Sequence, residues 1–229
     1  MDDLISILIP TYNRAGMVKK AIKSIRSQTY TNYEIIVYDD GSIDKTWKTL
    51  EAYGKKIRAI RGDKNRGCAY ARNVLMGAAK GKYVCWQDSD DWSNINRLRC
   101  QYDIIKEGHV MVIARCIWSH DMKSTPWTKA PVKTSPKKGG KKGKEKRKKK
   151  GFANASIMFE LSKAVQAPLK RSFGGSDADW VREMKKKYVM RHAHMILYYV
   201  RTHNDRIGVW KRRPSANREW YTRMDQYRR

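Results

Sequence analysis

The sequence lacks the features that mark secreted, zinc-binding and membrane-spanning proteins. Its four cysteines, Cys68, Cys85, Cys100 and Cys116, are scattered, and none forms the C-x-x-C pair of a structural zinc site. Without a secretory signal we expect reduced thiols in a cytoplasmic protein, or in the host cytoplasm if the protein is viral. No apolar run reaches the length of about 20 residues that a transmembrane helix needs, so any membrane attachment is expected to be peripheral.

Acidic residues are scarce relative to basic ones. The 229 residues include 50 Lys and Arg but 22 Asp and Glu, which gives a formal net charge of +28. Such a charge favours salt-sensitive association with polyanions, although a basic surface without a specific partner would have the same composition. Residues 137–150 concentrate this charge, because nine lysines and Arg147 against Glu145 give a net +9. We expect this segment to be a disordered, solvated loop.

Short apolar runs alternate with helical patterns through the first 92 residues. The strands are predicted at 4–9, 34–38, 57–60 and 82–86, and the helices at 15–28, 44–53 and 69–79. This alternation predicts an α/β fold with a mainly parallel central sheet flanked by helices. The second half adds predicted strands at 110–118 and 195–200 and a helix after Asp177. A hydrophobic content of 41% suits one domain with a buried core.

Two acidic clusters follow strands of this pattern. Asp39 and Asp40 come after the second predicted strand, and residues 88–91 come after the fourth. Ligands bind beyond the carboxyl ends of parallel strands, so we expect both clusters, on neighbouring strands, to face one cleft. Acidic residues after strands are also ordinary turn formers and helix N-caps, which leaves a structural alternative open.

Four segments together carry a family resemblance. They are I-P-T-Y-N-R at 9–14, V-Y-D-D-G-S-I-D-K-T at 37–46, N-R-G at 65–67 with A-R-N at 71–73, and D-S-D-D at 88–91. In this order they resemble the family 2 glycosyltransferases, enzymes with the GT-A (nucleotide-diphospho-sugar transferase) fold. Looser matches at 154–159, 175–180 and 201–204 extend the resemblance over most of the chain, apart from roughly 119–150 and the tail.

The resemblance implies a divalent metal, Mn²⁺ or Mg²⁺, on the diphosphate of a nucleotide-sugar donor, with UDP as the expected nucleotide. It implies Asp90 as the direct metal ligand, Asp88 near the metal or the ribose, and Asp91 in support. Hard cations prefer such oxygen ligands and neutralise the charge of a leaving diphosphate. His203, in an Arg-x-His pattern, is a further candidate for the metal or the diphosphate, and otherwise a surface residue.

The resemblance also assigns the nucleotide pocket. Asp40 is expected to accept a hydrogen bond from the nucleobase N–H, while Asp39 forms the turn. Pro10, Thr11 and Tyr12 are expected to line the same pocket, Tyr12 by stacking.

The remaining predicted roles concern phosphates and the catalytic base. Arg72 and Arg201 are expected either to contact phosphates or to pair with the acidic clusters. The family's base is an aspartate, usually after a glutamate and ahead of a helix with an aromatic residue. Here Ser176 replaces the glutamate, so the motif favours Asp177 and leaves Asp179 open. The base takes the acceptor's proton from within about 3 Å, and attack opposite the diphosphate gives inversion. If both aspartates only begin a helix, the protein lacks a base.

We therefore expect an inverting, hexosyltransferase-type catalytic domain over residues 1–208. Its nucleotide-sugar-binding half is expected at 1–92, and its acceptor and base half at 151–208. A basic insertion at 119–150 and a basic aromatic tail at 209–229 complete the predicted organisation.

No motif marks the acceptor. Lysine-rich loops bind phosphate backbones, and aromatic residues among arginines stack on bases. Residues 137–150 and 209–229 therefore lead us to a nucleic-acid acceptor, specifically a hydroxymethylated pyrimidine in DNA of the kind some bacteriophages carry. The alternatives are a glycan or lipid-carrier acceptor at an anionic membrane, and a non-catalytic nucleic-acid-binding protein on the same scaffold. The lysine block is otherwise a solubilising loop.

Overall fold

The computed structural model describes residues 1–119, 150–166, 169 and 176–202. The predictions for residues 137–149, for the tail at 209–229 and for His203 lie outside the described residues. Among the described helices, none has the length and hydrophobicity needed to cross a bilayer.

Strands and helices alternate through the first half of the chain. The strands are β1 (Ile5–Thr11), β2 (Tyr33–Asp39), β3 (Arg58–Arg61), β4 (Tyr83–Trp86), β5 (Trp92–Ser93), β6 (Met111–Ser119), β7 (Lys150–Glu160) and β8 (Met190–Arg201). The helices are α1 (Ala15–Arg26), α2 (Thr46–Glu51), α3 (Cys68–Ala78), α4 (Arg97–Ile105), α5 (Leu161–Ala164) and α6 (Ser176–Lys187), with a 3₁₀ turn at Gly54–Lys56.

The described strands form one mixed sheet in the order β3-β2-β1-β4-β7-β6-β8-β5. The first four positions are parallel, because each helix between them returns the chain to the same edge of the sheet. β7 then pairs antiparallel with both β4 and β6, and β8 runs parallel to β6. The carboxyl ends of β1, β2, β4, β6 and β8 consequently lie at the same edge of the sheet.

Both faces of the sheet are buried. Ile5, Ile7 and Ile9 of β1 belong to the core cluster that contains α1 and α4, whereas Leu8 belongs to the cluster that contains α3 and α6. Alternate residues of a strand point to opposite faces, so a strand covered on both sides carries apolar residues on both. This explains the mostly apolar run that predicted β1, in which the buried Ser6 is polar and donates to Glu34 Oε1 at 2.6 Å.

Most predicted elements are present with small shifts of their ends, and the predicted α/β class is observed. One expectation was wrong: the two acidic clusters do not follow neighbouring strands, because β1 lies between β2 and β4. β5, α4, β7 and α5 were not predicted. β8 begins at Met190, five residues before the predicted start. The prediction missed these residues because Ala193 is the one buried residue among 190–195, so the segment has no apolar run.

Candidate active site

The loops that follow β1 and β2 are hydrogen-bonded to each other at the carboxyl edge of the sheet. The Asp40 N–H donates to the Thr11 carbonyl oxygen at 2.9 Å. The Asn13 N–H donates to Ser42 Oγ at 2.8 Å, and the Ile43 N–H donates back to Asn13 Oδ1 at 2.9 Å. Asn13 has a φ of +50°, in the left-handed region that asparagine tolerates better than most residues. The two loops therefore hold a fixed relative position.

The Asp40 carboxylate binds the segment that leads into α3. Its Oδ1 accepts from the Arg66 N–H at 2.9 Å, and its Oδ2 accepts from the Gly67 N–H at 2.8 Å. Burial raises the pKa of the Asp40 carboxyl, and the two N–H donors oppose that shift. Each carboxylate oxygen has a second lone pair, so the predicted contact with a nucleobase N–H stays a prediction alongside this structural role.

The Asp39 carboxylate makes the predicted turn contact with one oxygen only. Its Oδ1 accepts from the Ser42 N–H at 3.1 Å, which is a turn-forming contact. Its Oδ2 is buried and has no hydrogen-bond partner among the described residues, and the same is true of Thr11 Oγ1, on the neighbouring strand in register with Asp39. These polar atoms make Asp39 and Thr11 candidates for ligand contacts at this edge.

Two cavities lie at opposite edges of the sheet. One, of about 520 Å³, is lined by residues 41–43 and 61–63, directly after β2 and around the end of β3. The other, of about 410 Å³, is lined by His109, His192 and His194 among others, where β6 and β8 begin. Only the first adjoins the carboxyl edge, so the histidine-lined cavity is not part of the candidate site.

Three carboxylates converge in the loop after β4. One ligand oxygen from each of Asp88, Asp90 and Asp91 lies within 4.8 Å of the others. Two oxygens on opposite sides of one Mg²⁺ ion are about 4.2 Å apart, so a small side-chain movement suits this cluster to a hard divalent cation. Asp90 and Asp91 are 7% and 1% exposed. The acidic residues do not cap a helix, because α4 begins only at Arg97 after its N-cap residue Asn96.

Positive groups surround this cluster. Arg14 Nη1 lies 3.0 Å from Asp90 Oδ1, and Arg72 Nη2 lies 3.0 Å from Asp88 Oδ1. The backbone N–H of Arg201 donates to Asp91 Oδ1 at 2.9 Å. The Arg72 side chain thus pairs with the acidic cluster, which is one of the two roles predicted for it. The Arg201 contact is made by its backbone, and contact with phosphates stays a prediction for both arginines.

A fully buried arginine lies beneath the acidic loop. Arg97 donates to the carbonyl oxygens of Trp86 and Ala155 and to the side-chain oxygens of Gln87, Ser93 and Gln101, at 2.8–3.2 Å. Gln87 Nε2 in turn donates to the carbonyl oxygens of Asp88 and Asp91 at 3.0 Å. The guanidinium therefore stabilises the main chain that presents the carboxylates.

Tyr198 of β8 completes this network. Its hydroxyl accepts from the Asp88 N–H at 3.1 Å, and its ring lies 4.7 Å from the Arg97 guanidinium carbon. Burial raises the pKa of the Tyr198 hydroxyl well above its usual value, so the group stays neutral at physiological pH.

α6, the helix that carries both candidate bases, packs against the end of β4 through Trp180. Trp180 is 3% exposed, and its ring centroid lies 4.7 Å from that of Trp86, the last residue of β4. Asp177 is the second residue of this helix. Asp179, which is half-exposed, pairs with Arg182 at 2.8 Å.

The structure thus brings together most of the predicted site residues. Pro10 and Tyr12, both partly buried, lie at the end of β1 and directly after it. Sequence reasoning gave no role to Arg14, Gln87, Arg97 or Tyr198. Arg14 belongs to the I-P-T-Y-N-R segment at 9–14, and its place in that motif could have indicated a role at the site. Nothing in the sequence distinguishes Arg97 from an exposed arginine.

Comparison with known proteins identifies the family. Residues 6–165 match the family model described as glycosyl transferase family 2. The chain belongs to glycosyl transferase family 2. The predicted family is thereby confirmed.

This family 2 glycosyltransferase has curated relatives among bacterial enzymes. It is 36% identical over 112 residues to the UDP-Glc:alpha-D-GlcNAc-diphosphoundecaprenol beta-1,3-glucosyltransferase WfgD of Escherichia coli, covering 48% of this chain and 44% of the relative. It is 32% identical over 124 residues to the glycosyltransferase GlyG of Streptococcus pneumoniae, covering 53% and 41%. The chain therefore spans less than half the length of these two relatives.

Solved structures share the fold at low sequence identity. The S. aureus TarS 1–349 structure in complex with UDP-GlcNAc has a TM-score of 0.67 at 16% identity, covering 90% of this chain and 63% of that one. The mannosyltransferase PcManGT from Pyrobaculum calidifontis, in complex with GDP-Man and Mn²⁺, has a TM-score of 0.66 at 15% identity, covering 90% and 59%. The predicted fold is confirmed.

We predict that Arg97→Met lowers the free energy of unfolding by about 3 kcal/mol or more, because it leaves several buried oxygens without a donor. Urea unfolding measures this change. Arg99→Met, two residues along α4, is the matched control, because Arg99 is 38% exposed and its ion pair with Asp2 is a surface contact. The control is expected to cost less than about 1 kcal/mol. Equal effects of the two substitutions would contradict the role given to Arg97.

Proposed function

We propose that this family 2 glycosyltransferase transfers a sugar from a UDP-sugar to an acceptor hydroxyl, with inversion and with Mn²⁺ or Mg²⁺ on the donor diphosphate. The observation that carries the proposal is the convergence of Asp88, Asp90 and Asp91 at the carboxyl edge, where α/β proteins bind their ligands. UDP as the nucleotide is supported by the UDP-Glc in the name of WfgD and by the UDP-GlcNAc complex of TarS.

The residues of this chain have distinct tasks in the proposed reaction. The carboxylates of Asp88 and Asp90 hold the cation, which neutralises the charge of the departing diphosphate. Asp40 and the loop after β1 bind the nucleotide. Arg72 and Arg201, both beside the carboxylates, supply positive charge for the phosphates. His203 is retained as a further proposed ligand of the metal or diphosphate.

Asp177 is the proposed base. It accepts the acceptor hydroxyl's proton as that oxygen bonds to the anomeric carbon, and the bond from that carbon to the diphosphate oxygen breaks with its electron pair leaving on UDP. The Trp180–Trp86 contact supports a base on α6, since it brings this helix to the end of β4. Asp179 is the weaker candidate because its carboxylate is already paired with Arg182 on the same helix.

The acceptor proposed is a sugar carried on a polyprenyl diphosphate. This class is named for the relative WfgD, and its diphosphate and the anionic membrane around it suit a chain of net charge +28. The same charge keeps DNA with hydroxymethylated pyrimidines as a second candidate acceptor, contacted through residues 137–150 and the tail.

We predict that Mn²⁺ tightens UDP binding by the wild-type protein about 5- to 150-fold, a usual range for coupled ligands, and that Asp90→Asn abolishes this gain. Calorimetric titration of UDP with Mn²⁺ or with EDTA measures both quantities. Asp103→Asn is the control, because Asp103 is an exposed carboxylate of α4 that pairs with Lys106. The metal assignment is wrong if Asp90→Asn retains the full gain.

We predict that Asp177→Asn lowers kcat by about 10²- to 10⁴-fold while UDP binding with Mn²⁺ is unchanged, because a base acts on the acceptor and not on the nucleotide. Single-turnover transfer of labelled sugar gives the rate, and calorimetry gives the affinity. The decrease in kcat is expected to be far smaller for Asp179→Asn. A larger loss from Asp179→Asn would transfer the role of base to that residue.

We predict that labelled sugar moves from UDP-Glc or UDP-GlcNAc to GlcNAc-diphosphoundecaprenol in anionic vesicles. Hydroxymethylated DNA, offered in the same reaction, is expected to receive none. Product extraction into organic solvent separates the two products. Label found only in DNA would overturn the lipid-linked proposal in favour of the second candidate.

A further inference from the structure

Arg14 makes an ion pair with the proposed metal ligand. Its Nη1 lies 3.0 Å from Asp90 Oδ1 and 3.3 Å from Ser89 Oγ, within the loop after β4. The Asp90 side chain is 7% exposed, whereas the Arg14 side chain is 23% exposed. A buried carboxylate is thus neutralised by a side chain that reaches solvent.

The backbone of Arg14 is held independently of this ion pair. Its N–H donates to Thr46 Oγ1 at 2.8 Å, and its carbonyl oxygen accepts from the N–H groups of Met17 and Val18, which begin α1. The guanidinium can therefore leave Asp90 by rotation of its own side chain, without a movement of the loop.

Arg72 differs from Arg14 in this respect. The Arg72 side chain is 4% exposed, and its guanidinium carbon lies 4.6 Å from the centre of the Trp86 ring while it pairs with Asp88. Cation–π packing and burial both restrict the side chain. Of these two arginines, Arg14 is the one free to exchange partners.

A guanidinium and a divalent cation compete for the same carboxylate. The Asp90 carboxylate is already paired with the positive guanidinium of Arg14. A cation that arrives alone must therefore displace Arg14 or bind against its repulsion. A nucleoside diphosphate that arrives with the cation brings the negative charge that a displaced guanidinium needs, and Arg binds phosphate oxygens well.

We propose that Arg14 is an exchangeable counter-ion: it pairs with Asp90 before donor binding and moves to the donor diphosphate when the cation takes its place. This inference rests on the proposed function for the identity of the incoming ligands. It predicts that the protein binds Mn²⁺ weakly alone and more tightly with UDP, and that Arg14 is responsible for a measurable part of that difference.

The experiment is a titration of Mn²⁺ followed by the electron paramagnetic resonance signal of the free ion, without nucleotide and with saturating UDP. The proteins are the wild type, Arg14→Gln, Arg14→Lys and the control Arg26→Gln. Arg26 is an exposed arginine at the end of the same helix α1, so its substitution makes the same change in net charge away from the carboxylates.

Without UDP, Arg14→Gln is expected to bind Mn²⁺ about tenfold more tightly than the wild type, because a competing charge is removed. Arg14→Lys and Arg26→Gln are expected to stay within about twofold of the wild type. With UDP, Arg14→Gln is expected to show a smaller gain in Mn²⁺ affinity than the wild type. The neutral side chain neither competes with Mn²⁺ for Asp90 nor moves to the diphosphate, so the coupling free energy between the two ligands falls.

The proposal is overturned if Arg14→Gln binds Mn²⁺ alone no more tightly than the wild type while its melting temperature is unchanged. If Arg14→Gln is destabilised, Arg14→Met serves as the second neutral variant, with the same expected result. Failure of the proposed function gives a different pattern, in which the wild type binds no Mn²⁺ even with UDP. The proposal is also overturned if Arg26→Gln tightens Mn²⁺ binding as much as Arg14→Gln does. The effect would then come from the change in net charge and not from the position of Arg14.

Discussion

Crowded carboxylates at a largely buried edge require compensating positive groups, and the arrangement around the candidate site meets that requirement. Removing a carboxylate from water is costly unless it is paired or hydrogen-bonded. Asp90 is paired by Arg14, Asp88 by Arg72, and Asp91 by a backbone N–H of β8. The groups come from three separate parts of the chain, so the site exists only when the whole sheet has formed.

The compensating groups differ in how firmly they are held, and this difference has functional consequences. Arg97 is enclosed by neutral oxygens and supports the main chain of the acidic loop, which a bound ligand would not alter. Arg14 reaches solvent, and within the described part of the chain the polar contacts of its side chain are with Ser89 and Asp90 of the acidic loop. In the proposed exchange, a donor that carries both a cation and a diphosphate replaces the Arg14 contact and leaves the Arg97 contacts intact. Rigid support and exchangeable charge are thus provided by different residues.

Much of the nucleotide-binding half could be predicted from the sequence because its signals are local. β1 is a mostly apolar run followed by a polar loop, and Asp39 ends β2 with Asp40 directly after it, so strand pattern and position were sufficient. Strand order was not readable: β1 lies between β2 and β4 because of packing among distant segments. The same limit applies to Arg97, whose burial depends on oxygens contributed by Trp86 and Ala155, and to α4, whose buried polar residues obscure its apolar face.

The candidate catalytic residues likewise differ in whether a local motif was enough to predict them. Asp88, Asp90 and Asp91 were predicted as a group because the motif is contiguous, and the structure brings their oxygens together. The choice between Asp177 and Asp179 could not be made from spacing, since both lie in the first turn of α6. The proposed choice of Asp177 uses a neighbour of the other aspartate, Arg182, which the folded helix brings to Asp179.

In the proposed mechanism, a cation held by the loop after β4 would join the protein to a nucleoside diphosphate. A crystal grown with UDP and Mn²⁺, measured at a wavelength where manganese scatters anomalously, tests this directly. We expect one strong anomalous peak in contact with both the Asp90 carboxylate and the diphosphate oxygens, with the uracil beside Asp40. A manganese peak away from this loop, or UDP bound at another edge of the sheet, would contradict it.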